Sequence, residues 1–270
     1  MLNKSERKRC VIATTTFYKN INETRAQCAL GSAEEARRLG YQLVVVDDSP
    51  DPRVKEELVS LGALVHKQRQ PGMGASRRQA IGLAKEIAGP NGAWVFIEPE
   101  KKNVLKELEQ SFSVVIHDND VIVVLCRTAS GLHTCDQAWE YISHLGSLNF
   151  KMATGLPELD VFLGTRVVSS KLAEFFEMER QGIPGDKSWG VTHYGMLDAL
   201  AAGYKIVGIP INFVHPPEQK AAEDNPLIFM KRVVQTALLT AGSFLYAVQL
   251  GLMSADPELE KTCRNILVLE

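Results

Sequence analysis

The chain has 270 residues, of which 45% are hydrophobic, and a formal net charge of -2 with a sequence pI of about 6.3. This length allows one large domain with a sizeable core, and the near-neutral charge argues against nucleic acid as a partner. The five cysteines are scattered without a Cys-x-x-Cys pair, which argues against a disulfide framework and a structural zinc site and indicates a reducing compartment.

The first predicted strand, Cys10–Thr16, ends in hydroxyl residues and is followed by Phe17 and a predicted helix over Asn22–Leu39. Small polar residues at a strand end let a ligand approach the backbone, and an aromatic side chain there can flank a base. Thr14, Thr15 and Phe17 are therefore pocket candidates. The alternative is that the threonines only fill a strand, because β-branched residues favour that conformation.

The second predicted strand is an apolar run from Tyr41 to Val46 that stops at the sequence Asp-Asp-Ser-Pro. This places Asp47 and Asp48 at the carboxyl end of a strand, where open parallel sheets bind their ligands. The alternative is a turn that caps the following helix, predicted over Arg53–Leu61.

A glycine-rich loop follows the short predicted strand Ala63–His66 and leads into a helix over Ala75–Ile87. Arg77 and Arg78 lie on the first turns of this helix, whose positive N-terminal end favours an anion. Two solvated arginines after a loop are an equally good interpretation of this pattern.

The predicted strand Ala93–Ile97 runs into Glu-Pro-Glu-Lys, followed by a helix over Asn103–Gln110. Glu98 and Glu100 are spaced so that a turn could aim both carboxylates at one point. Hard oxygen ligands so placed suit Mg²⁺ or Mn²⁺ carrying a diphosphate. Acidic capping of the next helix is the alternative, and it fits Glu100 well.

Together these motifs resemble the nucleotide-sugar-binding half of GT-A fold glycosyltransferases, family 2-like. The resemblance implies an α/β fold with a mixed, mostly parallel, Rossmann-like sheet flanked by helices. It also implies that Asp47 or Asp48 contacts the nucleotide, that Arg77 or Arg78 lies near the donor, and that Glu98-Pro99-Glu100 takes the place of the family's Asp-x-Asp motif for metal and diphosphate.

The Glu-Pro-Glu sequence departs from that motif, because glutamate lengthens both arms by a methylene and proline separates them. Lys101 could partly replace the metal by contacting phosphate directly. Further along the chain, Arg166 could reach the donor phosphates or an acidic acceptor, although an exposed arginine on an edge strand is the commoner situation.

The second half of the chain contains the remaining predicted elements. They are the strand Val121–Arg127, a helix over Thr134–Leu145, an irregular segment Phe150–Leu156, the strand Val161–Ser169 interrupted by Gly164, the helix Val191–Ala202 and the strand Gly203–Ile211.

Asp186 precedes the helix Val191–Ala202 and resembles the acid that acts as general base in inverting members of the family. Helix capping is its alternative role. His215, in a proline-containing loop, resembles the third metal ligand of some GT-A enzymes and would complete a site with Glu98 and Glu100. Without a metal, His215 is a surface-loop histidine.

The segment Gln235–Met253 carries no charged residue but is interrupted by polar ones, which favours a buried or interfacial helix over a membrane-spanning one. We expect it to form a homodimer interface or a membrane-surface contact. The tail Asp256–Glu270 is amphipathic. Since charged residues lead directly into the first strand, without a signal-peptide pattern, we expect a cytoplasmic protein, with a peripheral membrane location as the variant.

The sequence therefore predicts a single GT-A-like domain, with a nucleotide-sugar half over about 10–120, an acceptor half over about 121–225 and a C-terminal helical segment over 226–270. The predicted activity is a hexosyltransferase that takes a nucleotide-sugar donor, an unidentified acceptor and Mn²⁺ or Mg²⁺. A non-catalytic nucleotide-binding or scaffold module of the same fold is the first alternative and a nucleotidyltransferase the second; stereochemistry stays open.

Overall fold

The computed structural model describes residues 2–135, 137–217, 225–254 and 256–267. Its central feature is a seven-stranded sheet in the order β3-β2-β1-β4-β6-β5-β7. The strands are β1 (Cys10–Thr16), β2 (Gln42–Asp47), β3 (Leu64–Lys67), β4 (Ala93–Phe96), β5 (Val121–Arg127), β6 (Arg166–Ser169) and β7 (Lys205–Ile211).

All neighbouring strands pair in parallel except around β6, which is antiparallel to both β4 and β5. The carboxyl ends of the other six strands therefore lie at one edge of the sheet, together with the amino end of β6. This confirms the predicted mixed, mostly parallel sheet. The arrangement brings Arg166, the first residue of β6, beside Phe96, the last residue of β4.

Two apolar cores cover the two faces of the sheet. Successive residues of β1 alternate between the two cores: Val11 packs in the second core and Ile12 in the first. This alternation is the two-residue period of a pleated strand. Both residues are fully buried, so the strand reads as a continuous apolar run.

Helices flank the sheet on both sides. They are α1 (Lys4–Arg7), α2 (Thr24–Leu39), α3 (Pro52–Ser60), α4 (Met73–Ala88), α5 (Leu108–His117), α6 (Ala129–Leu132), α7 (Gln137–Thr154), α8 (Glu174–Glu177), α9 (Val191–Ala201), α10 (Pro226–Gln249) and α11 (Pro257–Leu267). Buried residues of α2, α3 and α5 join the first core, and those of α4 and α9 join the second.

Two sequence predictions for the second half are wrong. The segment Phe150–Leu156 was expected to be irregular, but α7 continues through Thr154, with Phe150 and Ala153 buried. The strand expected over Val161–Ser169 begins only at Arg166. A 3-10 turn covers Val161–Leu163 and Gly164 follows it with φ 82, a left-handed conformation that ends the turn and is incompatible with a continuous strand.

The long helix α10 packs against α7 and α9, and α11 packs against α10. None of the helices that the structure describes combines the length and the apolarity needed to cross a bilayer. Part of the loop after His215, residues 218–224, lies outside the described residues.

Candidate functional site

Asp47 lies at the carboxyl end of β2, and hydrogen bonds hold one of its two carboxylate oxygens. Its Oδ1 atom accepts hydrogen bonds from the Thr16 hydroxyl at 2.7 Å, the Ser49 hydroxyl at 2.6 Å and the Ser49 backbone N–H at 3.2 Å. Oδ2 has no hydrogen-bond partner among the described residues. The side chain is therefore oriented by its neighbours and keeps one oxygen for a ligand at the sheet edge.

The other candidates near β1 and β2 differ in accessibility. The Thr14 hydroxyl is buried and donates to the Ile97 carbonyl at 2.8 Å, which ties β1 to β4 and occupies the hydroxyl in the fold. Thr15 is half-buried, and Asp48 is exposed. Phe17 is 62% exposed, as a side chain that flanks a ligand at an open edge would be.

Glu98 follows β4 and forms an ion pair with Lys101, whose Nζ lies 3.0 Å from its Oε2. Lys101 also donates to the carbonyl oxygen of Leu163, so its ammonium group is buried between two chain segments. Burial by itself raises the pKa of Glu98, but Lys101, Arg232 and Arg77 outweigh it and hold this pKa at about 2. Glu98 is therefore a carboxylate in a strongly cationic setting.

Glu100 is engaged by residues that follow β1 in the chain. Its Oε1 pairs with Arg25 Nη2 at 2.8 Å and accepts from the Tyr18 hydroxyl at 2.9 Å. Glu100 is 1% exposed, and its Oε2 is buried without a hydrogen-bond partner. Burial raises the pKa of Glu100, and the charge of Glu98 adds to that effect, although Arg25 opposes it.

The predicted metal-ligand set of Glu98, Glu100 and His215 is not assembled. Within the described ranges, no group of three or more histidine, cysteine or acidic side chains is positioned to hold a metal ion. The physical reason is that Lys101 pairs with Glu98 while Arg25 and Tyr18 engage Glu100. His215 is buried after β7, where its backbone N–H donates to the Thr134 hydroxyl at 2.9 Å.

Arg77 and Arg78 lie side by side on the first turns of α4 but face different surroundings. The guanidinium carbon of Arg77 lies 5.0 Å from the centre of the Phe96 ring and 4.4 Å from that of Trp189. Arg78 forms an ion pair with Asp186 and donates to the backbone carbonyls of Asp186 and Met178, each at 3.1 Å. Arg77 thus faces the strand ends, whereas Arg78 anchors the loop before α9.

Asp186 is fully buried and held by two arginines. Besides Arg78, Arg180 binds it through Nη1 at 3.1 Å to Oδ1 and through the backbone N–H at 2.9 Å to Oδ2. Arg180 also pairs with Asp198 of α9. The general-base role of Asp186 stays a prediction, and it requires both arginines to release the carboxylate. Capping is excluded, since the residue before α9 is Gly190.

Arg166 is 1% exposed, so the expected exposed position on an edge strand is wrong. The reason is the strand order, which places β6 in the interior of the sheet. Its guanidinium donates to the Val161 carbonyl at 2.9 Å and to the Thr192 hydroxyl at 3.2 Å.

Arg77, Phe96 and Glu98 line a narrow cavity of about 30 Å³ at the ends of β4 and β6. Residues of four further segments complete its wall: Trp139, Phe162, Trp189, Thr192, His193, Arg232, Gln235 and Leu239. Nothing in the sequence pattern around His193 indicates its cavity position. A wider groove of about 620 Å³ lies along the outer side of α4 and includes neither Asp47 nor Glu98.

No protein-family model matches the chain, and no curated protein matches it in sequence. Solved structures do match in fold. Glucosyl-3-phosphoglycerate synthase from Mycobacterium tuberculosis has a TM-score of 0.59 at 13% identity, covering 92% of this chain and 85% of that one. The same enzyme in complex with Mn²⁺, UDP and phosphoglyceric acid has a TM-score of 0.57 at 14% identity, covering 90% and 80%. Its complex with Mn²⁺, UDP-glucose and phosphoglyceric acid has a TM-score of 0.58 at 14% identity, covering 90% and 81%.

This chain therefore has the GT-A-like fold of those glycosyltransferases. At such low identity the likeness concerns the fold alone, and the roles of individual residues rest on the geometry described above.

Proposed function

We propose that this protein is a glycosyltransferase that takes a nucleotide-sugar donor at the carboxyl edge of β1, β2 and β4. The observation that carries the proposal is the position of Asp47, an oriented carboxylate with one unengaged oxygen at the strand ends of a GT-A-like sheet. The fold neighbours have been solved with UDP and UDP-glucose, which supports a nucleotide-sugar donor.

In the proposed complex, Asp47 accepts hydrogen bonds from the nucleoside, and the exposed ring of Phe17 flanks it. Arg25 is half-exposed beside Glu100 and is the cation placed to meet the donor's diphosphate. A fixed cation next to the departing diphosphate lowers the barrier to sugar transfer, because negative charge grows on that group as its bond to the sugar breaks.

Mn²⁺ accompanies UDP in the fold neighbours, but the predicted ligands of this chain do not fit a divalent-ion site as they are arranged. Lys101 and Arg25 occupy the two glutamates that would supply its oxygen ligands. We therefore propose that side-chain cations, rather than a metal ion, compensate the negative charge of the donor diphosphate.

Isothermal titration with UDP, GDP and CDP, each with and without Mn²⁺, tests this proposal. We expect one nucleotide to bind without Mn²⁺, and Asp47→Asn to weaken that binding about tenfold, because a charged acceptor is lost. Asp118→Asn is the matched control, since Asp118 follows α5 on the opposite edge of the sheet.

Each alternative result has a distinct meaning. Binding that requires Mn²⁺ and disappears in Glu98→Gln would restore the metal-assisted mechanism. Failure of all three nucleotides to bind would remove the donor site and leave a scaffold protein.

A non-catalytic nucleotide-binding module is the second candidate. The full burial of Asp186 between two arginines favours it, because no acid is then free to deprotonate an acceptor hydroxyl at that position. Nucleotide binding without turnover of any UDP-, GDP- or CDP-sugar, measured as nucleotide release, would favour this module over the enzyme.

A further inference from the structure

The narrow cavity at the ends of β4 and β6 is surrounded by more positive than negative side chains. The Arg77 side chain is 5% exposed, and its Nε atom is buried without a hydrogen-bond partner within the described ranges. Its guanidinium lies over the faces of Phe96 and Trp189, and the charge of Glu98 favours its ionised form. Ring contacts offset part of the cost of burying a cation, but a buried charge ordinarily has a counterion.

Arg166 adds a second buried cation behind the cavity wall. Its partners are all neutral: the Val161 carbonyl, the Thr192 hydroxyl and the sulfur of Met196 at 3.2 Å. The nearest carboxylate in sequence, Asp160, is bound through both oxygens by Arg127. Burial lowers the pKa of Arg166 to about 9 and that of Arg77 to about 10, although nearby carboxylates oppose this effect at both residues.

His193 supplies a polar group without a partner. The residue is 7% exposed, and neither ring nitrogen has a hydrogen-bond partner in the part of the chain that the structure describes. Burial, together with Arg166 and Arg77 nearby, holds the pKa of His193 well below its usual range, although an interaction with the Trp189 backbone opposes this effect. The neutral ring keeps one N–H available for donation, and its edge contact with Phe162 fixes its plane.

Among the described residues of the cavity wall, Glu98 is the only carboxylate, and it is already paired with Lys101. Arg77 and Arg232 both line the cavity and Arg166 lies behind its wall, so the positive charge around the space exceeds the single negative charge of Glu98. We propose that this cavity binds an oxyanion, a phosphate or a carboxylate, carried by the sugar acceptor. This inference rests on the proposed function.

Position and size assign the oxyanion to the acceptor rather than to the donor. The cavity lies at β4 and β6, whereas Asp47 lies at the end of β2, and β1 separates β2 from β4. Neighbouring strands are about 4.8 Å apart, so the cavity is roughly 10 to 15 Å from the proposed nucleoside position. Its wall also includes neither Arg25 nor Glu100, beside which the donor diphosphate is proposed to lie. A volume of about 30 Å³ admits a single compact group.

Titration with inorganic phosphate in a low-chloride buffer, with and without saturating UDP, tests the inference. We expect phosphate to bind the full chain in both conditions, since the two sites are separate. Arg77→Met should weaken phosphate binding roughly ten- to a hundredfold, because a charge-assisted bond is lost, and should leave UDP affinity unchanged. Arg37→Met, an exposed change on α2, is the matched control for loss of one positive charge.

His193→Phe provides a second variant that preserves the ring and its contact with Phe162. It should also weaken phosphate binding while the protein stays folded. Arg77→Met should unfold at the same temperature as the unaltered protein or higher, because no hydrogen bond is lost. A merely structural arginine would instead give a clear loss of stability.

Three results would overturn the inference: no phosphate binding to the unaltered protein, binding that survives in both variants, or competition between phosphate and UDP, which would place the donor diphosphate in the cavity. Phosphate binding with no nucleotide binding has a different meaning. That result refutes the proposed donor site and leaves the anion pocket standing.

Discussion

The carboxylate of Asp186 lies between Arg78 and Arg180, and Arg180 continues to Asp198. Tyr246 of α10 extends this chain by donating to Asp198 at 2.6 Å. Four charged groups thus alternate in sign and join α4, the loop before α9, and α9 itself. Removing one carboxylate leaves a buried arginine without one of its counterions. The loss of folding stability is then larger than when one partner of an exposed ion pair is removed.

We predict that Asp186→Asn lowers the free energy of unfolding by about 3 kcal/mol, because it leaves two arginine contacts uncompensated. Urea unfolding followed by circular dichroism measures this. Asp48→Asn is the matched control, because Asp48 is exposed and its change should stay within about 0.5 kcal/mol. An Asp186→Asn protein as stable as the unaltered one would show that the network does not hold the loop.

Asp160 gives a prediction for pH. Burial opposes its ionisation, but hydrogen bonds from Arg127 prevail and lower the pKa of Asp160 below its ordinary value. A carboxylate with a lowered folded-state pKa contributes stability above its unfolded pKa, and this contribution is lost as the pH falls through the folded value. The urea midpoint should therefore decrease below about pH 4, and less steeply in Asp160→Asn than in the unaltered protein. Equal slopes in the two proteins would contradict the assignment.

The positions of several candidate site residues could be predicted from the sequence because local motifs carry them. Asp47 follows an apolar run, and Arg77 follows a glycine loop, so both could be placed at a strand or helix end from the sequence alone. The surroundings of Arg166 could not be predicted in this way, because its burial depends on the order of strands from different parts of the chain. The same holds for Lys101 and Arg25, whose pairing with the two glutamates is a tertiary contact.

At the scale of elements, α4 is held against the loop before α9 by a glycine. The Gly74 N–H donates to the Lys187 carbonyl at 2.8 Å. A Cβ atom at Gly74 would lie 2.7 Å from the Lys187 carbonyl carbon and 2.8 Å from the Asp186 oxygen, both backbone atoms. The start of α4 can therefore approach this loop only because the residue has no side chain.

Gly74→Ala should destabilise the protein by about 1 to 3 kcal/mol, since backbone must move to admit the methyl group. Gly82→Ala on the same helix is the matched comparison. There the nearest atom is Glu177 Oε1 at 3.3 Å, the end of a flexible side chain, so better helix propensity should make the change neutral or stabilising by up to about 1 kcal/mol. Melting temperatures of the two variants test this, and a similar loss in both would contradict it.

The strands and the longer helices of the first half were largely predictable, because each of these strands is an apolar run bounded by turn residues and α2 and α4 are long enough to show their period. The helix predicted over Asn103–Gln110 is wrong, since a 3-10 turn covers Lys102–Glu107 and α5 begins at Leu108. The predicted strand Cys10–Thr16 agrees with β1, and helix Ala75–Ile87 with α4, to within two residues. The error at Phe150–Leu156 has a clear cause. The spacing of its apolar residues fits a helix that packs against α10. The segment is too short for that helix to be recognised from the sequence without its partner helix.

At the scale of the whole molecule, one sheet separates two apolar cores, one on each of its faces. Ile12 belongs to the first core and Ile81, on α4, to the second, and both are fully buried. Packed layers lie about 10 Å apart, so a small change on one side of the sheet should not be felt on the other.

We predict that Ile12→Val and Ile81→Val each cost about 0.5 to 1.5 kcal/mol and that the double variant loses the sum to within about 0.5 kcal/mol. Chemical unfolding of the two single variants and the double variant measures the coupling. A coupling above about 1 kcal/mol would mean that the sheet transmits strain between its faces.

The positions of the tryptophans should make intrinsic fluorescence sensitive to binding in the narrow cavity. Of its three tryptophans, Trp94 is fully buried in the second core. Trp139 and Trp189 line the narrow cavity, and the guanidinium carbon of Arg232 lies 5.1 Å and 5.4 Å from their ring centres. Two of the three indoles therefore emit light from beside charged groups that an entering anion would rearrange. Changes in intrinsic fluorescence should follow occupancy of the cavity directly, with Trp94 as a constant background and no added label.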